Sequence, residues 1–386
     1  MKHSSSIAHY IEDYWQACLT PAGGGGERNL VMHFGRIKLP NAMIASNDSY
    51  FAGTQFYWDT YFTVLGLVDT KKFDLAKGMV DNLCYLYDKF GLIPARNSWT
   101  SLGRTQPPLL TRMAFETYAH TGEEVWLDKV MTYAQKEYES VWTSGRRLES
   151  TSGLSRYSPK YLRDSLAVFE SGWDLSSRFQ KGQPILPVDL NCLLYQYEND
   201  FLKWARIKKD KAAQDRWQKA MNNRQKLINQ HFWDEKTGFF YDYDLTNSQR
   251  AKLKTLAGFY PLWCGVATKK QARQCLEQLK VFEQTGGLAS TEKIIGSTKQ
   301  WDYPNGWAPL QLIVIEGLRN YGFNTDAERL KEKWLLCNQK VFQETGKLWE
   351  KYDVVNCDVG RPGRYPTQSG FAWTNGVFIR LNKIKK

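Results

Sequence analysis

Apolar residues recur along most of this chain at helical spacing. Between Asp189 and Lys209, Leu190, Leu193, Leu194, Tyr197, Phe201 and Trp204 fall at i, i+3, i+4, i+7, i+11 and i+14, which predicts a helix with one apolar stripe. From Thr325 to Val341 the spacing predicts a second helix, opened by a capping box of Thr325 and Glu328 and burying Leu330, Trp334, Leu335 and Cys337. Similar patterns cover 6–18, 59–68, 73–89, 109–120, 123–142, 211–230, 257–281, 306–320 and 371–382. Strand-like alternation is short and rare. The expected fold class is all-α.

Between the helices a loose repeat places a glycine, then apolar residues, then polar ones: FGLIPAR, SGLSRY, TGFFYDYD, TGGLAS and TGKLWEKYD, with glycines at 91, 153, 238, 286 and 346. Intervals of 48 to 85 residues suit a helix pair plus a loop at ~1.5 Å rise per residue. Five or six such hairpins stack into an open solenoid or close into a toroid. Terminal repeats with a polar outer face, which an open array needs, are not evident, so the closed form is expected.

Composition narrows the function classes. A chain of 386 residues with 42% hydrophobic content can fill a large core. The reading is one catalytic domain over 1–386, with 1–45 as an N-terminal extension packed on it. No run of eighteen apolar residues occurs and MKHSSSIAHYIEDYWQ lacks the apolar stretch of a signal peptide, so a cytoplasmic protein without a membrane partner is expected. The seven cysteines are scattered, without a CxxC, and the five histidines show no HExxH, so neither a metal nor another cofactor is expected. The net charge of +12 is diffuse and no nucleic-acid motif accompanies it; it reads as a solvated basic surface rather than a nucleic-acid interface.

Candidate chemistry sits in the loops. Trp58-Asp59, Trp173-Asp174, Trp233-Asp234, Trp301-Asp302 and Trp349-Glu350 pair an indole with an acid, four of them in stretches rich in Gly, Pro, Ser or Tyr. Sugars need this combination, because their C–H faces pack on aromatic rings while carboxylates accept from their hydroxyls. The densest stretch, QWDYPNGWAPLQ (300–311), reads as one wall of a carbohydrate pocket.

That stretch resembles the C-terminal signature of the α,α-trehalases, glycoside hydrolase family 37, and FYWDTYF (56–62) resembles the core of their N-terminal signature. The likeness continues in order through LGRTQPP, ESGWDLSSRF, LPVDLN, EGLRNYG, WEKYDV and YPTQSGFAWTNG. It implies an (α/α)6 barrel, a toroid of helical hairpins, and cofactor-free hydrolysis of an α-glucosidic bond with inversion, by a monomer acting on a small carbohydrate. An inverting hydrolase needs a protonated carboxyl for the leaving oxygen and a carboxylate to activate water. The resemblance assigns the acid to Asp174 in SGWD and the base to Glu350 in EKYD, with Trp173 and Trp349 as apolar cover. The alternative is a helix cap at Asp174 and a solvated acid at Glu350. Substrate-binding candidates on the same basis are Trp58, Asp59, Asn97, Arg104, Gln106, Gly172, Trp301, Asp302 and Arg364, while Asp189 and Asn191 are expected to brace inner loops.

Departures from the family pattern are concentrated in substrate contacts. Phe51 stands where an arginine is expected, Ala95 where an asparagine is, and Arg364 where a glutamate is; the family's RPES-type loop has no counterpart between about 156 and 170. Arg364, joined by Arg96 and Arg361 if their loops converge, would favour an anionic leaving group; otherwise Arg364 points to solvent or pairs with Asp353 or Asp358. Trehalose hydrolysis therefore stands beside two alternatives: hydrolysis of another α-glucoside or α-mannoside with an anionic aglycone, and a catalytically impaired sugar-binding protein.

Overall fold

The computed structural model describes residues 6–24, 35–160, 167–179, 183–363 and 365–383. In chain order its α-helices begin with α1 (Ile7–Cys18), α2 (Tyr57–Asp69), α3 (Phe73–Phe90), α4 (Leu110–Thr121), α5 (Glu124–Glu137), α6 (Ala167–Glu170) and α7 (Val188–Ile207). They continue with α8 (Lys211–Phe232), α9 (Tyr260–Trp263), α10 (Lys269–Glu277), α11 (Leu279–Phe282), α12 (Ala308–Asn320), α13 (Asn324–Thr345) and α14 (Ala372–Lys383).

Contacts between α2, α4, α7, α9, α12 and α14 run from each to the next and return from α14 to α2, closing a ring. Between successive ring members the chain passes through α3, α5, α8, α10 and α13, and α1 lies against α14, with Tyr10 edge-on to Phe342 of α13 at 5.2 Å. This is an (α/α)6 barrel. Burial separates the two layers. Every residue of α2 except Asp69 is buried, whereas α8 buries one stripe of Trp217, Met221, Arg224, Ile228 and Phe232. A helix apolar all round must be enclosed, and an amphipathic one covers it from outside.

The tightest joint in the ring lies between α2 and α14. A Cβ on Gly66 would stand 2.6 Å from the Gly376 Cα, so only a glycine pair permits this approach. The C-terminal ends of the ring helices are tied by charge: Arg380 on α14 reaches Asp69 at 2.6 Å and Glu116 at 3.1 Å. The N-terminal ends open instead into loops braced by short antiparallel ladders of two or three residues. One of these pairs Asn305–Trp307 with Lys351–Asp353, in the register Trp307 to Lys351.

Most helices follow the sequence pattern, with three differences. The helix predicted over 123–142 runs as α5 to Glu137 and then widens into a π-helical turn over Tyr138–Trp142. The single helix predicted over 257–281 is broken, because Gly265 adopts φ +73° and Thr268 recaps the chain in a true capping box with Gln271. The box predicted at Thr325 and Glu328 does not form. The helix begins one residue earlier, after Phe323, and Glu328 pairs with Lys331 instead.

Outer and ring helices are also joined by a buried polar knot. Glu137 of α5 accepts from Tyr57 of α2 and Tyr197 of α7, each at 2.8 Å, and from the Trp142 indole at 3.3 Å. Burial raises the Glu137 carboxyl to about 7 against these stabilising donors. A carboxyl raised from its ordinary 4.5 to about 7 contributes stability that is complete below pH 4.5 and lost as pH rises towards 7. The melting temperature of the parent minus that of Glu137→Gln should therefore fall between pH 5 and 8, by the equivalent of up to about 3 kcal/mol. Parallel pH curves for the two proteins would show that Glu137 does not titrate in this window.

Candidate active site

The N-terminal ends of the ring helices and the loops before them enclose a cavity of about 320 Å³. Trp58, Asp59, Arg104, Gln106, Gly172, Asp174, Trp301 and Glu350 all line it, so eight of the sequence-based candidates meet in one place.

The loop that carries Asp174, 170–179, is held at three points. Glu170, fully buried, accepts from the Thr105 amide at 3.0 Å and the Ser158 amide at 2.7 Å and pairs with Arg147 at 2.5 Å, which links the loop to LGRTQPP. Arg178 donates to both oxygens of Asp189 at 2.6 and 2.7 Å and to both oxygens of Asp242 at 2.7 and 2.8 Å. Its guanidinium lies 4.9 Å from the centre of the Trp173 ring. The third point is backbone: the Asp174 carbonyl accepts from Gln300 at 3.1 Å and the Leu175 carbonyl from the Trp301 amide at 3.3 Å. Asp174 sits between two left-handed residues, Gly172 at φ +78° and Leu175 at φ +62°. A Cβ at Gly172 would lie 2.8 Å from the Trp58 indole, which explains the glycine, while the strained Leu175 turns the Asp174 side chain into the cavity.

Glu350 immediately precedes the strand Lys351–Asp353, which pairs with Asn305–Trp307. Its Oε1 accepts from the Tyr365 hydroxyl at 2.7 Å and its Oε2 from Lys351 Nζ at 2.8 Å; its carbonyl accepts from the Trp373 indole at 3.0 Å. Lys351 is fully buried and lies 4.9 Å over the Trp307 ring. Burial, then the Glu350 carboxylate, raises the Tyr365 phenol far above its ordinary range, so it acts as a neutral donor. Asp59 is a third carboxyl in the cavity. Burial raises it well above the usual carboxylate range, against a hydrogen bond from Ser46 at 3.3 Å, and Glu350 and Asp174 push it further.

The aromatic wall is layered. Trp301 stacks on Trp307 at 3.8 Å and 1° and on Trp173 at 5.4 Å and 20°, and Trp58 meets Trp301 at 5.9 Å. Three candidates are placed elsewhere. Asn97 is not a lining residue: it donates to the Ile37 and Gly53 carbonyls and accepts from the Gln55 amide, so its amide braces three loop segments. Asp302 is buried behind the wall, where it accepts from the Ser177 amide at 2.8 Å and from Ser176 and Ser297. Trp349 does not cover the base, because its indole turns outward to Thr345 at 3.0 Å. Arg364 lies outside the described residues. Arg361 is turned outward, 61% exposed and 3.6 Å from Asp353, so it does not join the cavity, whereas Arg96 does. Asp189 and Asn191 brace loops as expected, Asn191 by holding Ser155 through both its amide and its carbonyl.

The sequence reading missed Tyr50, Phe56, Phe169, Gln300, Tyr365 and Phe371 as lining residues, and Lys351 behind the base. Aromatic density within the matched motifs was the available signal for several; Lys351 follows the base directly, yet its inward aim depends on the strand pairing.

Replacing Arg178 by Met would leave two buried carboxylates facing each other, and equilibrium denaturation should show a loss of about 3–5 kcal/mol. Adding Asp189→Asn and Asp242→Asn to that variant should recover part of it. A loss below about 1 kcal/mol for Arg178→Met would mean that the knot does not hold the loop.

The comparisons agree with this geometry. A family model described as Trehalase matches residues 51–167 and 165–384. The periplasmic trehalase of Salmonella choleraesuis (strain SC-B67) is 34% identical over 426 aligned residues, covering 97% of this chain and 73% of the relative. The solved neutral trehalase Nth1 of Saccharomyces cerevisiae superposes with a TM-score of 0.79 at 30% identity, over 89% of this chain and 73% of that one. A GH63 mannosylglycerate hydrolase from Thermus thermophilus shares the fold, with a TM-score of 0.70 at 18% identity over 98% of this chain and all of that one. The bacterial relative is periplasmic by name, which does not support the cytoplasmic setting expected from the sequence. No helix among the described residues is long and apolar enough to cross a membrane.

Proposed function

The chain belongs to the trehalase family, and from that premise we propose that this glycoside hydrolase cleaves the α-glucosidic bond of trehalose with inversion, Asp174 acting as general acid and Glu350 as general base. The observation that carries the assignment is that these two carboxyls face one aromatic-walled cavity from separate loops, one half-buried and the other clamped by Tyr365 and Lys351.

One glucosyl ring packs against the indoles of Trp58 and Trp301, with Asp59, Arg104 and Gln106 as hydrogen-bonding partners for its hydroxyls. Asp174 gives its proton to the glycosidic oxygen as the bond to the anomeric carbon breaks, and the bonding pair leaves with that oxygen. Glu350 takes a proton from a water that attacks the anomeric carbon from the opposite side, so the configuration inverts. Tyr365 and Lys351 fix the orientation of Glu350, and the apolar stack excludes bulk water, which strengthens each charge–dipole contact. No metal or cofactor takes part in this scheme. The same proposal takes the protein as a monomer acting on a small carbohydrate, with neither nucleic acid nor membrane as partner. The same reading treats 1–386 as one catalytic domain with 1–45 as an N-terminal extension, and among its described residues α1 lies against α14.

Asp174→Asn and Glu350→Gln should each lower trehalose turnover by at least ~100-fold while keeping melting temperatures near the parent's, since positioned acid–base groups contribute on that order. Near-parental activity in a folded variant removes that residue from the mechanism. The first sugar released from the cleaved glucosyl side should be the β-anomer, observable by polarimetry or rapid NMR; prompt α-anomer would establish retention instead.

A further inference from the structure

Arg96 and Arg104 both line the cavity with Asp174, and Arg96 follows Ala95, which stands where the family pattern has an asparagine. Arg96 makes only long contacts with hydroxyls, Ser101 at 3.3 Å and Thr100 at 3.5 Å, and has no carboxylate ion-pair partner among the described residues. Its guanidinium lies 5.8 Å from the centre of the Phe56 ring, and that of Arg104 lies 5.8 Å from the Phe169 ring, so each is held against an aromatic wall. Arg36 stands behind them, with its Nε buried and unpartnered and its backbone bridged to Ser98.

The charge balance of the cavity follows from these contacts. Glu350 and Lys351 cancel, Asp59 is pushed towards its neutral form, and Asp174 must be protonated to act as acid. Among the described lining groups the Arg96 guanidinium then remains, beside that of Arg104, as positive charge on the wall. Burial and then mutual repulsion with Arg104 and Arg36 lower the Arg96 pKa, and among the groups that oppose this is Asp174. The excess charge is therefore on the acid's side, where the leaving group departs, and the ring helices add the positive ends of their dipoles. A neutral leaving group offers only hydroxyl oxygens to a cation partly removed from water, whereas an anionic oxygen cluster also balances its charge with paired hydrogen bonds.

We propose that the leaving-group side of this cavity selects α-glucosides whose leaving group carries a carboxylate or a phosphate, with Arg96 as the specificity-determining residue and Arg36 as its electrostatic support. This rests on the hydrolase reading and names the substrate class of that site.

The test compares kcat/KM for trehalose, trehalose 6-phosphate and α-glucosylglycerate in the parent, Arg96→Lys and Arg96→Gln. At least one anionic substrate should exceed trehalose in the parent. That preference should fall about tenfold or more in Arg96→Gln, less in Arg96→Lys, and should weaken with added salt, since a charge-assisted hydrogen bond carries roughly this factor. Which anion wins separates phosphate from carboxylate. Trehalose preferred over both, or an unchanged ratio in folded Arg96→Gln, overturns the proposal while leaving the hydrolase reading intact. A second measurement needs no variant: glucose 6-phosphate should bind the parent more tightly than glucose, or D-glycerate more tightly than glycerol, by titration calorimetry. If neither does, the proposal fails. If no α-glucoside at all is cleaved, the hydrolase reading fails, and the calorimetric comparison still decides whether the cavity takes an anion.

Discussion

The buried guanidinium of Arg178, shared between Asp189 and Asp242, is the constraint on which the site depends. Four charge-assisted bonds of 2.6 to 2.8 Å fix a planar group in two directions at once, and the Trp173 ring closes a third. Isolated, any of these three charges would cost several kcal/mol to bury. Together they join the acid loop to the first turn of α7 and to the segment beyond α8, so Asp174 is carried by the ring and not by a free loop. The Trp173 that Arg178 stacks on is the first layer of the indole stack, so the ion pair orients the sugar wall as well.

Glu350, the proposed base, is fixed by a different device. The strand that follows it is hydrogen-bonded to Asn305–Trp307, which brings Lys351 under Trp307 and leaves Glu350 between an ammonium and a phenol. The proposed acid and base therefore hang from separate anchors, joined by the Trp173, Trp301 and Trp307 stack and by the bonds of Gln300, Trp301 and Asp302 to the Asp174 loop. A shift in that stack would move both groups relative to the sugar, and displacements on the ångström scale cost orders of magnitude in rate. The rigidity of the opposite end, where Arg380 ties α14 to Asp69 and Glu116, keeps the ring from breathing beneath the site.

The cavity joins retained chemistry to altered recognition. Phe51 and Tyr365 pack edge to face at 5.5 Å where a more polar rim was expected from the family pattern, and Tyr50 stacks on Tyr365 at 5.3 Å. Arg96 enters beside them from the loop after α3. In the proposed assignment the acid–base pair and the Arg96 side of the cavity are built on different loops of one scaffold.

The sequence by itself determined the helices, because a 3.6-residue apolar period has few other solutions. It nominated Asp174 and Glu350 as acid and base and Trp58 and Trp301 as sugar contacts, because their motifs resemble a known family in order and in residue type, and all four line the cavity. It also marked Asp189 and Asn191 as braces. What it could not determine was which polar side chains face inward. Asp302 sits in a matched motif beside Trp301 and Asn97 follows the lining Arg96, yet backbone amides and carbonyls claim them, and a buried amide or carboxylate goes to whatever donors and acceptors the fold brings near. Lys351 is adjacent to the base and Tyr365 stands fifteen residues beyond it, and no spacing rule aims either at Glu350. The strand ladder decides that aim. Charge balance is likewise a tertiary property: Arg96 and Arg361 look alike in sequence, but only the fold sends one into the cavity and the other to solvent.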